Sequence, residues 1–271
     1  SGYLTHAGQT LALLDRALEG RKLVRLINTH SHSDHIGGNA TVRRAHGCRM
    51  SVPEGMAPAV RDWDEDALLL TSALQQAEPF EFDATIAPGD TLEMGGIEWQ
   101  ALLVPGHDMH ALAYYAPAEK ILISGDALWQ DGFGVLFAEL HGDNSGLPAQ
   151  RRTLEMLGEL DVRAVIPGHG APFADFDAAM TRALQRLAAF EQSPERMARS
   201  AMKALFTFTL LEKRRMKRAE IGDYFGRVAI FRDVSRRFFN REAADVAAQV
   251  IDELLKAGVL MEQDGDIVAR G

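Results

Sequence analysis

The feature that most constrains this chain is a short histidine-rich run, Thr29-His30-Ser31-His32-Ser33-Asp34-His35, which directly follows an apolar segment. Its three imidazoles and one carboxylate fall within six residues, His30 to His35, and such donors suit zinc, iron or manganese. In an extended segment His30 and His32 point the same way, whereas Asp34 and His35 turn toward a neighbouring position. The run therefore predicts one tight loop that serves two adjacent metal ions.

Further ligands have to come from elsewhere, because the four ligands of this run cannot fill two coordination shells. Three candidates follow predicted strands and each stands beside a glycine: His107, Asp126 and His169. Glycine allows close approach of the backbone, and side chains at neighbouring strand ends can converge on one position. The sequence thus predicts a site built from distant segments.

This ligand pattern resembles the metallo-β-lactamase-fold hydrolase superfamily over roughly residues 20–175. Residues 30–35 match its HxHxDH signature, and the later candidates match its remaining ligands in order. The resemblance implies an α/β fold, a four-layer αβ/βα sandwich, with two divalent metal ions, zinc being favoured over iron or manganese. It also implies the ligand sets: His30, His32 and His107 for one ion, Asp34, His35 and His169 for the other, and Asp126 as the bridge.

The chemistry expected of such a pair is hydrolysis by a metal-bridging hydroxide. Two adjacent ions lower the pKa of a bridging water to about 7, so no serine or cysteine nucleophile is needed. Asp34 and Asp126 are the predicted catalytic residues, Asp34 because it can also move a proton. The preferred substrate is a small thioester or ester, as for glyoxalase II, which the chain resembles in the broad sense.

Residues that meet the substrate are harder to identify. His110 follows His107 by three positions, and His141 lies in a polar loop after Asp126; both are candidates for contacts with substrate or with the ligands. The apolar segment 127–137 either lines a pocket or packs beneath the site. Trp63, within the stretch 56–74, is a candidate for a lid.

The C-terminal part of the chain has a different pattern. Helical periodicity dominates after Phe173, and apolar alternations flank Gln263-Asp264-Gly265, which is a hairpin signal. We therefore predict a catalytic domain over residues 1–190 and a winged-helix-like helical domain over 191–271. The latter resembles the tail of the β-lactamase-like-protein-2 group, some of which act on RNA. The alternative function is accordingly a metal-dependent nuclease whose C-terminal domain contacts RNA.

Charge argues against that alternative. The net charge is −9, and residues 191–271 carry 15 basic and 13 acidic residues, which leaves −11 on residues 1–190. The basic cluster Lys213–Arg218 has acidic neighbours such as Glu212 and Glu220. We therefore interpret this cluster as a solvated helix end or a homodimer contact. For the site, a small-molecule substrate is preferred.

Two expectations concern the setting of the chain. Only 29 residues precede the motif, whereas the resembled family places several strands there, so we expect N-terminal strands of that fold to be absent. The single cysteine, Cys48, is expected to be a buried core residue and is compatible with the cytoplasm. No apolar run of about 18 residues and no leader are visible, which predicts a cytoplasmic protein without membrane contact.

Overall fold

The computed structural model describes residues 1–270 and divides the chain into two compact units. Unit 1 comprises residues 1–71 and 75–188; unit 2 comprises residues 72–74 and the chain from residue 189 onward. The predicted domain boundary at residue 190 stays a prediction. The identity of unit 2 as a winged-helix-like domain stays a prediction.

The first part of the chain alternates between helices and strands, as the sequence pattern predicts for an α/β domain. Its elements are α1 (Ala7–Leu18), β1 (Arg25–Ile27), α2 (Ser33–Ile36), α3 (Asn39–His46), β2 (Arg49–Pro53), α4 (Ala57–Asp62), α5 (Leu70–Ala73), β3 (Ala84–Ile86), β4 (Thr91–Met94), β5 (Ile97–Leu103), β6 (Leu112–Ala116), β7 (Ile121–Gly125), α6 (Phe137–His141), α7 (Gly146–Gly158) and β8 (Ala164–Pro167).

These strands form two sheets. The parallel sheet has the order β1-β2-β3, and the five-stranded sheet has the order β4-β5-β6-β7-β8, with only β7 and β8 parallel. The α/β class is as expected. Strands β3 and β4 were not predicted, because segments of three and four residues are too short to show a clear alternation.

The core of unit 1 packs on both sheets. One cluster includes Ile36, Met50 and Val52, with Trp63 against its edge, and a second covers the five-stranded sheet around Trp99 and Tyr114. The Trp63 ring meets Phe80 edge-on at 6.0 Å, so Trp63 packs against the core and the lid interpretation gains no support. Cys48 is buried, as expected.

The two sheets meet at the end of β1, where the histidine run begins. The Leu112 amide donates to the Thr29 carbonyl at 2.8 Å, and the Tyr114 hydroxyl donates to the Asn28 carbonyl at 2.9 Å. Strand β6 is therefore hydrogen-bonded to the two residues that directly follow β1. This connection places residues 30–35 against the strand ends that carry the other candidate ligands.

Unit 2 is mainly helical, with a small antiparallel sheet in which β11 (Asp266–Ala269) lies between β10 (Leu260–Gln263) and β9 (Met216–Lys217). Its cluster of buried rings includes Phe206, Phe225 and Phe231, the last two stacked with centroids 4.1 Å apart. Helix α11 (Ala229–Phe239) and the two-residue strand β9 were not predicted. Helix α11 is rich in aromatic and β-branched residues, which are weak helix formers. The elements that complete the chain are α8 (Phe176–Gln192), α9 (Pro194–Lys213), β9 (Met216–Lys217), α10 (Ile221–Arg227), α11 (Ala229–Phe239), α12 (Ala243–Lys256), β10 (Leu260–Gln263) and β11 (Asp266–Ala269).

Within residues 1–270, none of the helices combines the length and the apolarity that crossing a bilayer requires.

Candidate metal centre

The histidine run changes conformation halfway along its length. His32 is extended, with ψ near 153°, and α2 begins at the next residue. The amides of His35 and Ile36 donate to the His32 carbonyl at 2.8 and 3.0 Å. This turn brings Asp34 and His35 to His169, whose Nε2 lies 3.0 Å from Asp34 Oδ2 and 3.3 Å from His35 Nε2. The His35 ring also stays next to the His30 ring, with centroids 3.9 Å apart.

Two buried asparagines brace this loop, and sequence reasoning missed both. Asn39 donates to the side-chain oxygen of Asn28 at 2.9 Å, and Asn28 donates to the His35 carbonyl at 3.1 Å. Both side chains are more than nine-tenths buried, so their hydrogen bonds avoid the cost of leaving buried polar groups unpaired. The only available sequence signal was an asparagine on each side of the histidine run.

All seven predicted ligands converge. Potential ligand atoms lie within 4.8 Å of one another in three overlapping groups. These groups are His30 with His32 and His107, His30 with His35 and Asp126, and Asp34 with His35 and His169. The first and third groups match the two ligand sets that the resemblance implies.

Asp126 lies at the centre of this arrangement. Its Oδ2 is 3.3 Å from Nε2 of His107, 3.5 Å from Nε2 of both His35 and His169, and 3.9 Å from Nε2 of His30. Tetrahedral zinc at 2.0–2.1 Å from its ligands holds them roughly 3.4 Å apart. One carboxylate oxygen thus faces imidazoles of both ligand sets at distances suited to shared ions.

The ring nitrogens are also oriented for metal binding. Nδ1 of His107 lies 2.7 Å from the Val135 carbonyl, which fixes the proton on Nδ1 and leaves the Nε2 lone pair facing the site. Nδ1 of His30 contacts Thr29 Oγ1 at 3.1 Å, whereas its buried Nε2 has no hydrogen-bond partner. A metal ion bound among the candidate ligands would provide the partner that this buried nitrogen lacks.

Burial keeps the histidines of the first group neutral. It lowers the pKa of His32 and His107 to about 4. Burial, together with the neighbouring His35 and His32, also holds the pKa of His30 well below its usual value. Neutral imidazole is the form that binds a metal, so these residues need to lose no proton near neutral pH.

For the two carboxylates, neighbouring histidines affect the pKa more than burial does. Burial alone would raise the pKa of Asp126 and Asp34, but His35 and His169 outweigh it and hold both pKa values below the usual range. Burial would likewise lower the pKa of His169, yet its hydrogen bonds to Asp126 and Asp34 raise it to about 10. Without metal, His169 therefore keeps a proton, which metal binding would displace.

Two further residues shape the position of Asp126: Trp129, whose contact was not predicted, and Gly168, the glycine beside His169 that the sequence predicts to allow close backbone approach. Trp129 Nε1 donates to Oδ1 of Asp126 at 3.1 Å, and its ring meets His169 edge-on. Gly168, at the end of β8, donates its amide to the Gly125 carbonyl at 2.8 Å. A Cβ at residue 168 would collide with Asp126 Oδ1, so this position requires glycine.

The substrate-side candidates line a cavity of about 490 Å³ next to the first ligand group. His110 and His141 lie on its wall together with Phe137, and neither histidine belongs to a ligand group. Asp108 accepts a hydrogen bond from the His110 amide at 2.7 Å, which stabilises the turn between His107 and His110. Most of the apolar segment 127–137 belongs to the core, since Leu128 and Phe133 are fully buried.

Comparison with known proteins adds the family. A family model described as the Metallo-beta-lactamase superfamily matches residues 2–169. The chain is 31% identical over 148 residues to hydroxyacylglutathione hydrolase of Hyphomonas neptunium, covering 50% of each protein. It is 30% identical over 121 residues to the protein of that name from Rhodopseudomonas palustris, covering 45% of this chain and 40% of that protein. The chain thus spans about half the length, or less, of these relatives.

Solved structures share the fold. A metallo-beta-lactamase family protein from Thermus thermophilus superimposes with a TM-score of 0.54 at 20% identity, covering 96% of this chain and 86% of that one. A beta-lactamase domain protein from Burkholderia ambifaria gives a TM-score of 0.51 at 22% identity, covering 98% and 79%. At these identities the likeness concerns the fold.

Proposed function

The chain belongs to the metallo-β-lactamase superfamily, and from that premise we propose that it is a dinuclear metal-dependent hydrolase acting on a small thioester or ester. The position of Asp126 carries the proposal, because its Oδ2 lies 3.3–3.9 Å from four imidazole nitrogens drawn from both ligand sets. The relatives named hydroxyacylglutathione hydrolase support the thioester class.

The residues would divide as the geometry suggests. His30, His32 and His107 would hold one ion, Asp34, His35 and His169 the other, and Asp126 both. When bound, the ions supply a hydroxide nucleophile at neutral pH and polarise the carbonyl under attack. Imidazole and carboxylate donors favour zinc, with iron and manganese as competitors.

The chain's own side chains would then position substrate and protons. Oδ2 of Asp34 lies 3.0 Å from His169 Nε2, and the Asp34 side chain is 16% exposed. We assign Asp34 the transfer of a proton toward the departing thiolate or alkoxide. His110 and His141, on the cavity wall, would contact the substrate beyond its reacting carbonyl.

The test combines metal analysis with a substrate panel. We expect about two ions per wild-type chain, and in Asp126→Ala fewer ions and a loss of hydrolysis greater than about 100-fold, which exceeds the effect of residues that merely contact ligands. Asp131→Asn is the matched control, because Asp131 is exposed on the same loop and pairs with Arg182. Full activity of Asp126→Ala would disprove the dinuclear mechanism.

The panel itself should contain acylglutathione, acyl-CoA and simple esters, and single-stranded and structured RNA. Zinc-, iron- and manganese-loaded protein are assayed in parallel. Turnover of RNA without turnover of any thioester or ester would replace this proposal with the nuclease alternative.

A further inference from the structure

The cavity beside the ligand groups has two distinct regions. Its floor includes His32 and His107, which belong to the first ligand group. Its wall is largely apolar, with side chains from both ends of α4 and from the start of α6. The apolar lining consists of Met56, Pro58, Ala59, Ala67, Leu69, Met109, Phe137 and Ala138. A substrate whose carbonyl reaches the floor would therefore lay an apolar group along this wall.

The titratable side chains of the cavity are all acidic or histidine. Asp62 and Asp64 line it and are solvent-exposed, which places them at its mouth. Oδ1 of Asp64 accepts the amides of Asp66 and Ala67 at 3.1 and 3.0 Å, so this carboxylate is held in place. Two adjacent negative charges at an entrance repel anions and attract cations.

Lysine and arginine are absent from this lining in the described part of the chain. Arg61, next to Asp62 on α4, is directed elsewhere: its guanidinium lies over the Phe82 ring, 5.5 Å from the centroid. Metal ions at the ligand groups would add positive charge at the floor, beneath the reacting carbonyl. The ions would leave the mouth of the cavity acidic. The leaving group of the substrate, which differs from one thioester to another, would pass this mouth.

We propose that the substrate is a thioester or ester with an apolar acyl group and no net negative charge, and that anionic conjugates such as acylglutathione are discriminated against. This inference rests on the proposed hydrolase function and names its substrate class. A neutral or cationic leaving group would pass Asp62 and Asp64 favourably. An anionic one would have to approach both carboxylates without a basic partner.

The experiment uses one acyl group on thiols of different charge. Hexanoyl thioesters of thiocholine (cationic), N-acetylcysteamine (neutral), 3-mercaptopropionate and glutathione (both anionic) are assayed with the metal-loaded full chain. Each kcat/KM is divided by the rate constant for hydrolysis of that ester by hydroxide, which cancels leaving-group reactivity. At low ionic strength we expect the cationic ester to exceed both anionic ones by about 25-fold, and the neutral ester to exceed them by about fivefold.

Variants test the assigned residues. Asp62→Asn and Asp64→Asn should each lower the cation-to-anion ratio about fivefold, the effect of one charge roughly 8 Å away in a water-like dielectric. Asparagine keeps the acceptor oxygen that Asp64 uses in its turn. Asp66→Asn is the matched control, because Asp66 is exposed on the same loop but does not line the cavity; its effect should stay under about twofold.

A binding measurement separates this proposal from the hydrolase function. Dissociation constants of non-hydrolysable S-hexyl thioethers of the same thiols, measured by calorimetry, should follow the same charge order. If anionic thioesters are hydrolysed as well as neutral ones, the charge inference is wrong and the hydrolase stands. If no thioester or ester is hydrolysed, the hydrolase proposal is wrong, and the order of thioether affinities alone decides the charge preference.

Discussion

Asp126 depends on neighbours for its position as well as for its pKa. One oxygen faces the imidazoles of both ligand groups, while the other accepts a hydrogen bond from Trp129 at 3.1 Å. A carboxylate held from both sides loses less conformational freedom when metal binds. Trp129 is thus a positioning residue, acting through Asp126 and against the ring of His169.

Trp129→Phe is predicted to weaken metal binding about tenfold, because phenylalanine keeps the ring but loses the donor. Affinity is measured by competition with a zinc chelator, with activity at saturating zinc as the second readout. Trp63→Phe is the control, since Trp63 packs on Phe80 away from the ligands. Unchanged zinc affinity in Trp129→Phe would show that the hydrogen bond does not position Asp126.

The buried histidines predict a pH-dependent stability for the metal-free protein. His32 and His107 titrate near pH 4 when folded, against about 6.5 unfolded, and the pKa of His30 is lowered as well. Between these values the unfolded chain binds more protons, so the free energy of unfolding falls as pH drops from 6.5 toward 4. For three histidines the slope reaches about 4 kcal/mol per pH unit at most.

Urea titrations in EDTA at pH 7, 6 and 5 test this, followed by tryptophan fluorescence. All three tryptophans, Trp63, Trp99 and Trp129, lie in unit 1 with the ligands. His169 acts oppositely: its raised pKa stabilises the fold below about 6.5, and that contribution disappears as pH rises toward about 10. A urea midpoint that stays constant from pH 7 to pH 5 would contradict the predicted burial of neutral histidines.

At the scale of elements, the candidate ligands of the site lie just after the ends of strands. The chain reaches His30, His107, Asp126 and His169 shortly after β1, β5, β7 and β8 respectively. The β7–β8 pairing shifts register between Ile123 and Gly125, so the chain turns out of the sheet as Asp126 begins. The glycine at residue 168 lets the end of β8 approach this turn closely.

Gly168→Ala is therefore predicted to displace Asp126 and to reduce zinc affinity by at least about tenfold with the fold retained. Gly158→Ala is the control, because its added Cβ would meet Met180 at an ordinary 3.7 Å. Zinc affinity is measured by chelator competition and folding by circular dichroism. If Gly168→Ala binds zinc like the wild type, the close approach does not constrain the site.

For the whole molecule, charge favours the hydrolase proposal over the nuclease alternative. The chain carries −9 overall, and several basic side chains of unit 2 are already paired. Arg218 contacts Asp252 and Glu262, each at 3.1 Å, and Arg215 contacts Asp266 at 3.3 Å. Phosphate binding would have to compete with these carboxylates, which weakens the nuclease alternative.

We accordingly expect RNA to bind weakly, with a dissociation constant above about 10 µM at 150 mM salt, within the non-specific range. Fluorescence anisotropy with a labelled 20-nucleotide RNA measures it. The control is Arg218→Glu, which should change a weak affinity little because Arg218 is engaged in ion pairs. Submicromolar binding that falls steeply with salt would favour the nuclease.

Sequence alone determined the residue types of the candidate ligands, their order and their places after strands. Donor chemistry and strand periodicity are local properties, readable from residues such as His30 to His35 and from the apolar runs before His107 and His169. The α/β class followed from the same local patterns. The short strands β3 and β4 and helix α11 were not predicted. A few residues show little periodicity, and packing stabilises such elements more than intrinsic propensity does.

Tertiary structure decided the distances. That Asp126 lies between both ligand groups, and that Gly168 must lack a side chain, depends on segments far apart in the chain meeting at a sheet edge. The acidic mouth formed by Asp62 and Asp64 likewise exists only because α4 and the following turn face His107. Spacing along a chain does not encode distances between remote segments; packing of the sheets and helices sets them.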